Sequence, residues 1–121
     1  MNGLHILADL NDCAADAPWF DAEALSAHCE AIALAAGLTV VGRHWHGFGG
    51  EGGVTGVVLL AESHLAVHTW PELRAATFDV YVCNFSADNS AKAEAVCSAL
   101  LELFRPGQSQ IRRITRGAAP Q

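Results

Sequence analysis

Residues 59–72 read Leu-Leu-Ala-Glu-Ser-His-Leu-Ala-Val-His-Thr-Trp-Pro-Glu, and reactive side chains are denser there than elsewhere in the chain. Ser63 follows an acidic residue and precedes His64, His68, Trp70 and Glu72, in a segment otherwise made of strand formers. Val57 to Ala61 is the short apolar run of a buried strand. Leu65, Val67 and Thr69 then alternate with Ala66, His68 and Trp70 at the two-residue period of a strand. Two strands are therefore expected to meet at Glu62-Ser63.

Upstream, Gly47, Gly49, Gly50, Gly52 and Gly53 form a flexible connection between a strand over Thr39 to Phe48 and one over Val54 to Ala61. Before it, Asp21 can cap a helix whose apolar positions Leu25, Cys29, Ile32 and Ala36 recur at helical spacing. Phe20 can pack on Leu25 as a staple, and Gly37 ends the helix. His5 to Leu10, with Ile6, Ala8 and Leu10 on one face, reads as the first strand. Downstream, Pro71 interrupts pairing and Thr77 to Cys83 supplies another strand. A second helix starts near Asp88 to Ser90, buries Ala93, Val96 or Cys97, Leu100 and Phe104, and stops at Pro106-Gly107. Ile111 to Ile114 is a last strand. The order strand, helix, strands, helix, strand predicts an α+β fold, an antiparallel or mixed sheet with both helices packed on one face.

At 121 residues and 51% hydrophobic content the chain fits a single domain that fills its core without disulfides. No apolar run is long enough to span a bilayer, and the first residues lack the basic start and apolar stretch of a secretory signal. Cys13, Cys29, Cys83 and Cys97 form no Cys-x-x-Cys pair, which suits reduced thiols; the cytoplasm is the expected compartment. A formal net charge of -6 argues against a nucleic-acid partner and suits a cationic small molecule. The basic cluster Arg112, Arg113 and Arg116 reads as a solvated terminal strand.

Metal and hydrolase chemistry both fit poorly. His64 and His68 have the spacing of helical zinc ligands, but on a strand four residues span about 13 Å. His44 and His46 are a better pair, about 7 Å apart on one strand face, with no third ligand nearby in sequence. No metal is expected. Ser63 lacks the Gly-x-Ser-x-Gly elbow of a hydrolase nucleophile. By residue type alone, Ser63 suits a turn and Cys83 suits the packing of an apolar strand.

The segment Ala61 to Glu72, AESHLAVHTWPE, resembles the processing and active-site segment of the bacterial S-adenosylmethionine decarboxylase family, whose members are pyruvoyl-dependent proenzymes. The resemblance extends through HILAD at 5–9, GVTGVVLLAES at 53–63 and FDVYVCN at 78–84. It implies self-cleavage between Glu62 and Ser63 by serinolysis, giving a β chain of residues 1–62 and an α chain of residues 63–121 headed by a pyruvoyl group made from Ser63. Neither pyridoxal phosphate nor a metal is implied. His68 is then the base that promotes processing, Cys83 the acid that serves turnover, and Thr55 a hydroxyl that assists processing. The substrate amine forms a Schiff base with the pyruvoyl carbonyl, loses carbon dioxide and is protonated by Cys83, giving the aminopropyl donor for spermidine. Phe48 and Trp70 are candidates for stacking on adenine and Glu72 for the ribose hydroxyls, although both aromatics also suit core packing.

The implied particle is a homodimer of processed protomers, two α and two β chains, with its sites near the interface. Ser63 and His68 are five residues apart, so on one straight strand they face opposite sides about 16 Å from each other; a bend or a partner chain has to bring them together. The chain departs from the family pattern around the substrate pocket. Phe48 is followed by GGEGG in place of a shorter proline-containing connection, Leu73-Arg74 replaces an aromatic-glycine pair, Asn84 replaces a glycine, and Asp9 replaces a glutamate. Relatives of this fold act on ornithine or arginine, which keeps those substrates as alternatives. A noncatalytic small-molecule-binding domain is a further alternative, one that would not require Glu62, Ser63, His68 and Cys83 together.

Overall fold

The computed structural model describes residues 2–18, 21–85 and 87–117. Its elements are β1 (Gly3–Asn11), α1 (Ala22–Ala35), β2 (Val40–Gly47), β3 (Val54–Leu60), β4 (Ser63–Trp70), a 3-10 turn (Pro71–Leu73), β5 (Ala75–Cys83), α2 (Ser90–Phe104) and β6 (Gln108–Arg116). The strands form one sheet in the order β2-β3-β4-β5-β1-β6. Every neighbouring pair is antiparallel, which resolves the choice between antiparallel and mixed.

Strand alternation decides which face is covered. Val58 pairs with Leu65, Leu65 with Val80 and Val80 with Ile6, so a row of fully buried side chains crosses four strands on one face. The helices lie on that face: α1 packs on β2 and β3, α2 packs on β1 and β5, and the two helices touch. Leu25, Cys29 and Ala33 of α1 and Val96, Leu100 and Phe104 of α2 join the same core. Of the apolar positions expected to be buried in α1, Ile32 and Ala36 sit at the edge of the core, and Ala33 takes the fully buried place. The Phe104 ring is fully buried. Phe104→Ala is expected to lower the unfolding free energy by about 3–5 kcal/mol, read from the midpoint of urea unfolding.

Local signals set most boundaries. Asp21 caps α1 by accepting a 3.0 Å hydrogen bond from the Ala24 amide. Gly37 ends it in the left-handed region, while the Leu38 amide reaches back to the Ala33 carbonyl and the Gly37 amide to that of Leu34. The expected contact of Phe20 with Leu25 lies outside the described residues. Before α2, the Ser90 amide donates to Asp88 Oδ1. Arg105, left-handed at φ 46°, and then Pro106 end that helix. The last strand is longer than the expected 111–114, because all of Gln108–Arg116 pairs along β1.

The opposite face of the sheet carries no helix among the described residues. His64 pairs with Leu59 and Tyr81, and Tyr81 with His5. His68 pairs with Thr55 and Thr77. The side chains of His5, Thr55, His64, His68, Thr77 and Tyr81 therefore share one open surface. No helix among the described residues is long and apolar enough to cross a membrane.

Candidate active site

The hairpin between β3 and β4 sets the geometry around Ser63. Leu60 pairs directly with Ser63, leaving Ala61 and Glu62 as a two-residue connection. Glu62 takes a left-handed backbone at φ 61°, a conformation that costs a residue with a Cβ roughly 1–2 kcal/mol. Ser63 Oγ accepts a hydrogen bond from the Cys83 amide at 3.4 Å, so the proposed scissile bond and the last residue of β5 are neighbours. Cys83 is buried, and its carbonyl accepts from Asn89 Nδ2 at 2.9 Å. Asn84 Oδ1 accepts from the Asn89 amide, and Asn84 Nδ2 donates to Ser90 Oγ. A side chain at position 84 thus ties the end of β5 to the start of α2.

A second group of candidates lies at the other end of β4. Thr55 Oγ1 and His68 Nδ1 are 3.1 Å apart across the β3–β4 pair. The His68 and Trp70 rings stack with centroids 6.1 Å apart. With Phe48, Gly52, Gly53 and Thr69 these residues line a cavity of about 410 Å³. The glycine connection is fixed against it: the Phe48 amide donates to the Gly53 carbonyl, and the Val54 amide donates to Thr69 Oγ1 at 2.8 Å. A Cβ at Gly53 would collide with the Thr69 carbonyl, so only glycine permits this approach. Phe48 is 64% exposed and Trp70 41% exposed, so both aromatics present free ring surface instead of filling the core.

The structure therefore divides the sequence-predicted residues into two sets. Glu62, Ser63 and Cys83 meet at one end of β4, while Phe48, Thr55, His68 and Trp70 meet at the other. Ser63 and His68 lie on one continuous strand, with no bend to bring them together within the chain. Glu72 is exposed on the 3-10 turn beside Trp70 and does not line the cavity. Arg74 turns away: its Nε donates to the Cys13 carbonyl at 2.8 Å, and the Cys13 amide donates to the Arg74 carbonyl.

One cluster on the open face escaped sequence reasoning. Asp79 Oδ2 accepts from His64 Nε2 at 2.7 Å and from His5 Nε2 at 2.8 Å, joining β4, β5 and β1. Burial pushes the Asp79 carboxyl up, but hydrogen bonds and charge from His64 and His5 outweigh it and hold the group below its ordinary range. Arg116 Nη1 lies 2.8 Å from His5 Nδ1. His5 and Asp79 are 74 residues apart, so no spacing in the sequence could have announced the cluster.

The ligating atoms of His5, His64 and Asp79 lie within 4.8 Å of one another, close enough to share an ion. Their protons oppose it. A guanidinium only donates, so His5 Nδ1 is the acceptor and Nε2 carries the hydrogen that reaches Asp79. A metal-bound histidine needs an acceptor behind its second nitrogen, whereas His5 has a cation there. The arrangement is that of a hydrogen-bonded network around a carboxylate. His64 and His68 engage different partners and form no ligand pair.

The crystal structure of the adenosylmethionine decarboxylase from Aquifex aeolicus VF5 has the same fold. It superposes with a TM-score of 0.86 at 36% identity, over 98% of this chain and 93% of that one. The shared fold is that of a small α+β decarboxylase. The family model for S-adenosylmethionine decarboxylase matches residues 4–117, and the chain belongs to that family. Among curated relatives, the S-adenosylmethionine decarboxylase proenzyme of Pelotomaculum thermopropionicum is 36% identical over 119 residues, covering 98% of this chain and 90% of that protein. The proenzyme of Aquifex aeolicus is 49% identical over 82 residues, which span 67% of this chain and 58% of that protein's length.

Proposed function

We propose that this chain is an S-adenosylmethionine decarboxylase that cuts itself between Glu62 and Ser63 and works through a pyruvoyl group made from Ser63. The observation that carries this reading is the placement of Ser63, at the exit of a strained two-residue hairpin with its hydroxyl against the Cys83 amide. The family membership and the proenzyme relatives support the same assignment.

In the cut, Ser63 Oγ attacks the Glu62 carbonyl carbon, the peptide C–N bond breaks and an ester takes its place. Loss of the Ser63 α-proton then breaks the Cβ–Oγ bond, and the hydroxyl oxygen leaves as part of the Glu62 carboxylate. Hydrolysis of the remaining enamine releases ammonia. The products are a β chain of residues 1–62 and an α chain of residues 63–121. Ser63 supplies every heavy atom of the group except the oxygen taken from water, and the enamine carbon takes up a proton to complete the methyl, so its residue chemistry fits the cofactor that the family implies. When formed, the pyruvoyl group supplies the electron sink for decarboxylation.

The residues divide the remaining work. His68, hydrogen-bonded to Thr55 Oγ1, is the base for processing, with Thr55 in support. Cys83 delivers the proton to carbon during turnover. Phe48 and Trp70 offer exposed ring faces at one cavity for the nucleobase, and Glu72, on the exposed turn that follows Trp70, takes the ribose hydroxyls. An aromatic cavity serves a nucleoside better than linear ornithine or arginine, which favours S-adenosylmethionine.

The separation of Ser63 from His68 along β4 favours a homodimer of two α and two β chains. Each site then takes Ser63 and Cys83 from one protomer and His68, Phe48 and Trp70 from its partner. The open sheet face offers a surface for that assembly. The acidic chain suits a small cationic substrate more than nucleic acid, and four buried cysteines outside any disulfide suit the reducing cytoplasm.

The test is carbon dioxide release from carboxyl-labelled S-adenosylmethionine, ornithine and arginine at matched concentrations, with sedimentation of the same preparation. Turnover confined to S-adenosylmethionine is expected, by a particle with the mass of two processed protomers. Turnover of ornithine or arginine alone would overturn the substrate and leave the scission chemistry standing. Full activity at the mass of one protomer would overturn the shared site.

A further inference from the structure

We propose that the Asp79–His64 contact is a tether that holds the cofactor-bearing chain end in place after the chain is cut. The inference rests on the scission reading and concerns the state that scission leaves behind. Before the cut, Ser63 is held by its peptide bond to Glu62, by pairing with Leu60 and by its hydroxyl against the Cys83 amide. Scission breaks the first of these covalently. Elimination then removes Ser63 Oγ with the Glu62 carboxylate, so the contact with Cys83 is lost as well. The new chain end is left with ladder pairing at a strand terminus, where ladders fray most readily.

His64 is the next residue, and its Nε2 donates to Asp79 Oδ2 at 2.7 Å. No atom of this contact is consumed by the chemistry. Asp79 is itself braced, because the same oxygen accepts from His5 Nε2 and Arg116 donates to His5 Nδ1. The side chains of His5, Asp79 and His64 are 14%, 27% and 36% exposed, so the charge-assisted bonds are partly shielded from water, the one from His64 less than the one from His5. After the cut His64, Asp79 and Arg116 belong to one fragment and His5 to the other. The network therefore spans the two halves and ends one residue from the reacting group. His64 and Asp79 are positioning residues: they act through the backbone of residue 63.

Hydrogen exchange of the β4 amides, with fragments followed by mass spectrometry, tests the tether. In cut protein, His64→Ala is expected to speed exchange of the first β4 amides by roughly ten-fold or more, the loss of one hydrogen bond to a charged group. Decarboxylation should fall through kcat with KM little changed. In the uncut Ser63→Ala background the same change should alter exchange far less, because the peptide bond still holds residue 63. His64→Gln, whose amide can donate to the same carboxylate, should restore protection. Asp79→Asn, which keeps the shape and removes the charge, should move the same amides in the same direction as His64→Ala.

Unchanged exchange in cut His64→Ala protein overturns the tether. An equal increase in the uncut background also overturns it, since the contact would then stabilise the strand irrespective of scission. Failure of His64→Ala to cut would assign the contact to scission itself and overturn a role that begins afterwards. A wild-type chain that stays whole would overturn the scission reading, and the tether with it.

Discussion

Ser63→Ala is expected to emerge as one uncut chain, with carbon dioxide release at the buffer background. Alanine fills the space of serine but offers no oxygen to attack the Glu62 carbonyl and no leaving group at Cβ, so both halves of the processing chemistry stop together. The strand survives, because pairing of residue 63 with Leu60 uses the backbone and the lost side-chain bond is the long 3.4 Å contact with the Cys83 amide. Without the electron sink the loss is the whole of catalysis, roughly 10⁶-fold or more by the usual scale of enzymatic acceleration. Denaturing mass spectrometry reads the first expectation and labelled carbon dioxide the second. A blocked fragment beginning at residue 63 in this variant would move the cleavage point elsewhere.

Cys83→Ala should separate the two reactions. The hydrogen bond from residue 83 to Ser63 Oγ comes from the backbone amide, so alanine keeps it, and the chain should still cut to near completion. What disappears is the thiol proton. Loss of a positioned general acid costs typically 10²–10⁴-fold in rate, so decarboxylation should fall by that order while the fraction of cut chain changes little. The burial of Cys83 sharpens this expectation, since bulk water has poor access to replace the missing donor. Equal loss of scission and turnover would show that Cys83 shapes the hairpin instead of donating to substrate. Unchanged turnover would remove it from the reaction.

Much of the architecture was legible because it rests on local signals. Asp21 and Gly37 bracket α1 through their own side chain and backbone freedom, and the alternation of Leu65, Val67 and Thr69 identifies β4 and its buried side. The division of the candidate residues was also legible, since residues five apart on a strand face opposite ways whatever surrounds them. The local environments of the departures from the family pattern were not. Arg74, beside the aromatic cavity in sequence, swings to the Cys13 carbonyl, and Asn84 braces the start of α2. Each depends on which segment the sheet brings alongside.

By itself, then, the sequence determined the elements, the face each strand buries, and the concentration of reactive groups around Glu62-Ser63. Periodicity, capping and turn chemistry act over a few residues and can be read without knowing the neighbours. Only the tertiary structure decided that β1 enters between β5 and β6, which puts His5 against Asp79 and Arg116 beside His5. Register between distant strands is the sum of many weak side-chain pairings and one continuous core, so no short stretch encodes it. The three-strand network around Asp79 exists for that reason and could be seen only once the sheet had closed around it.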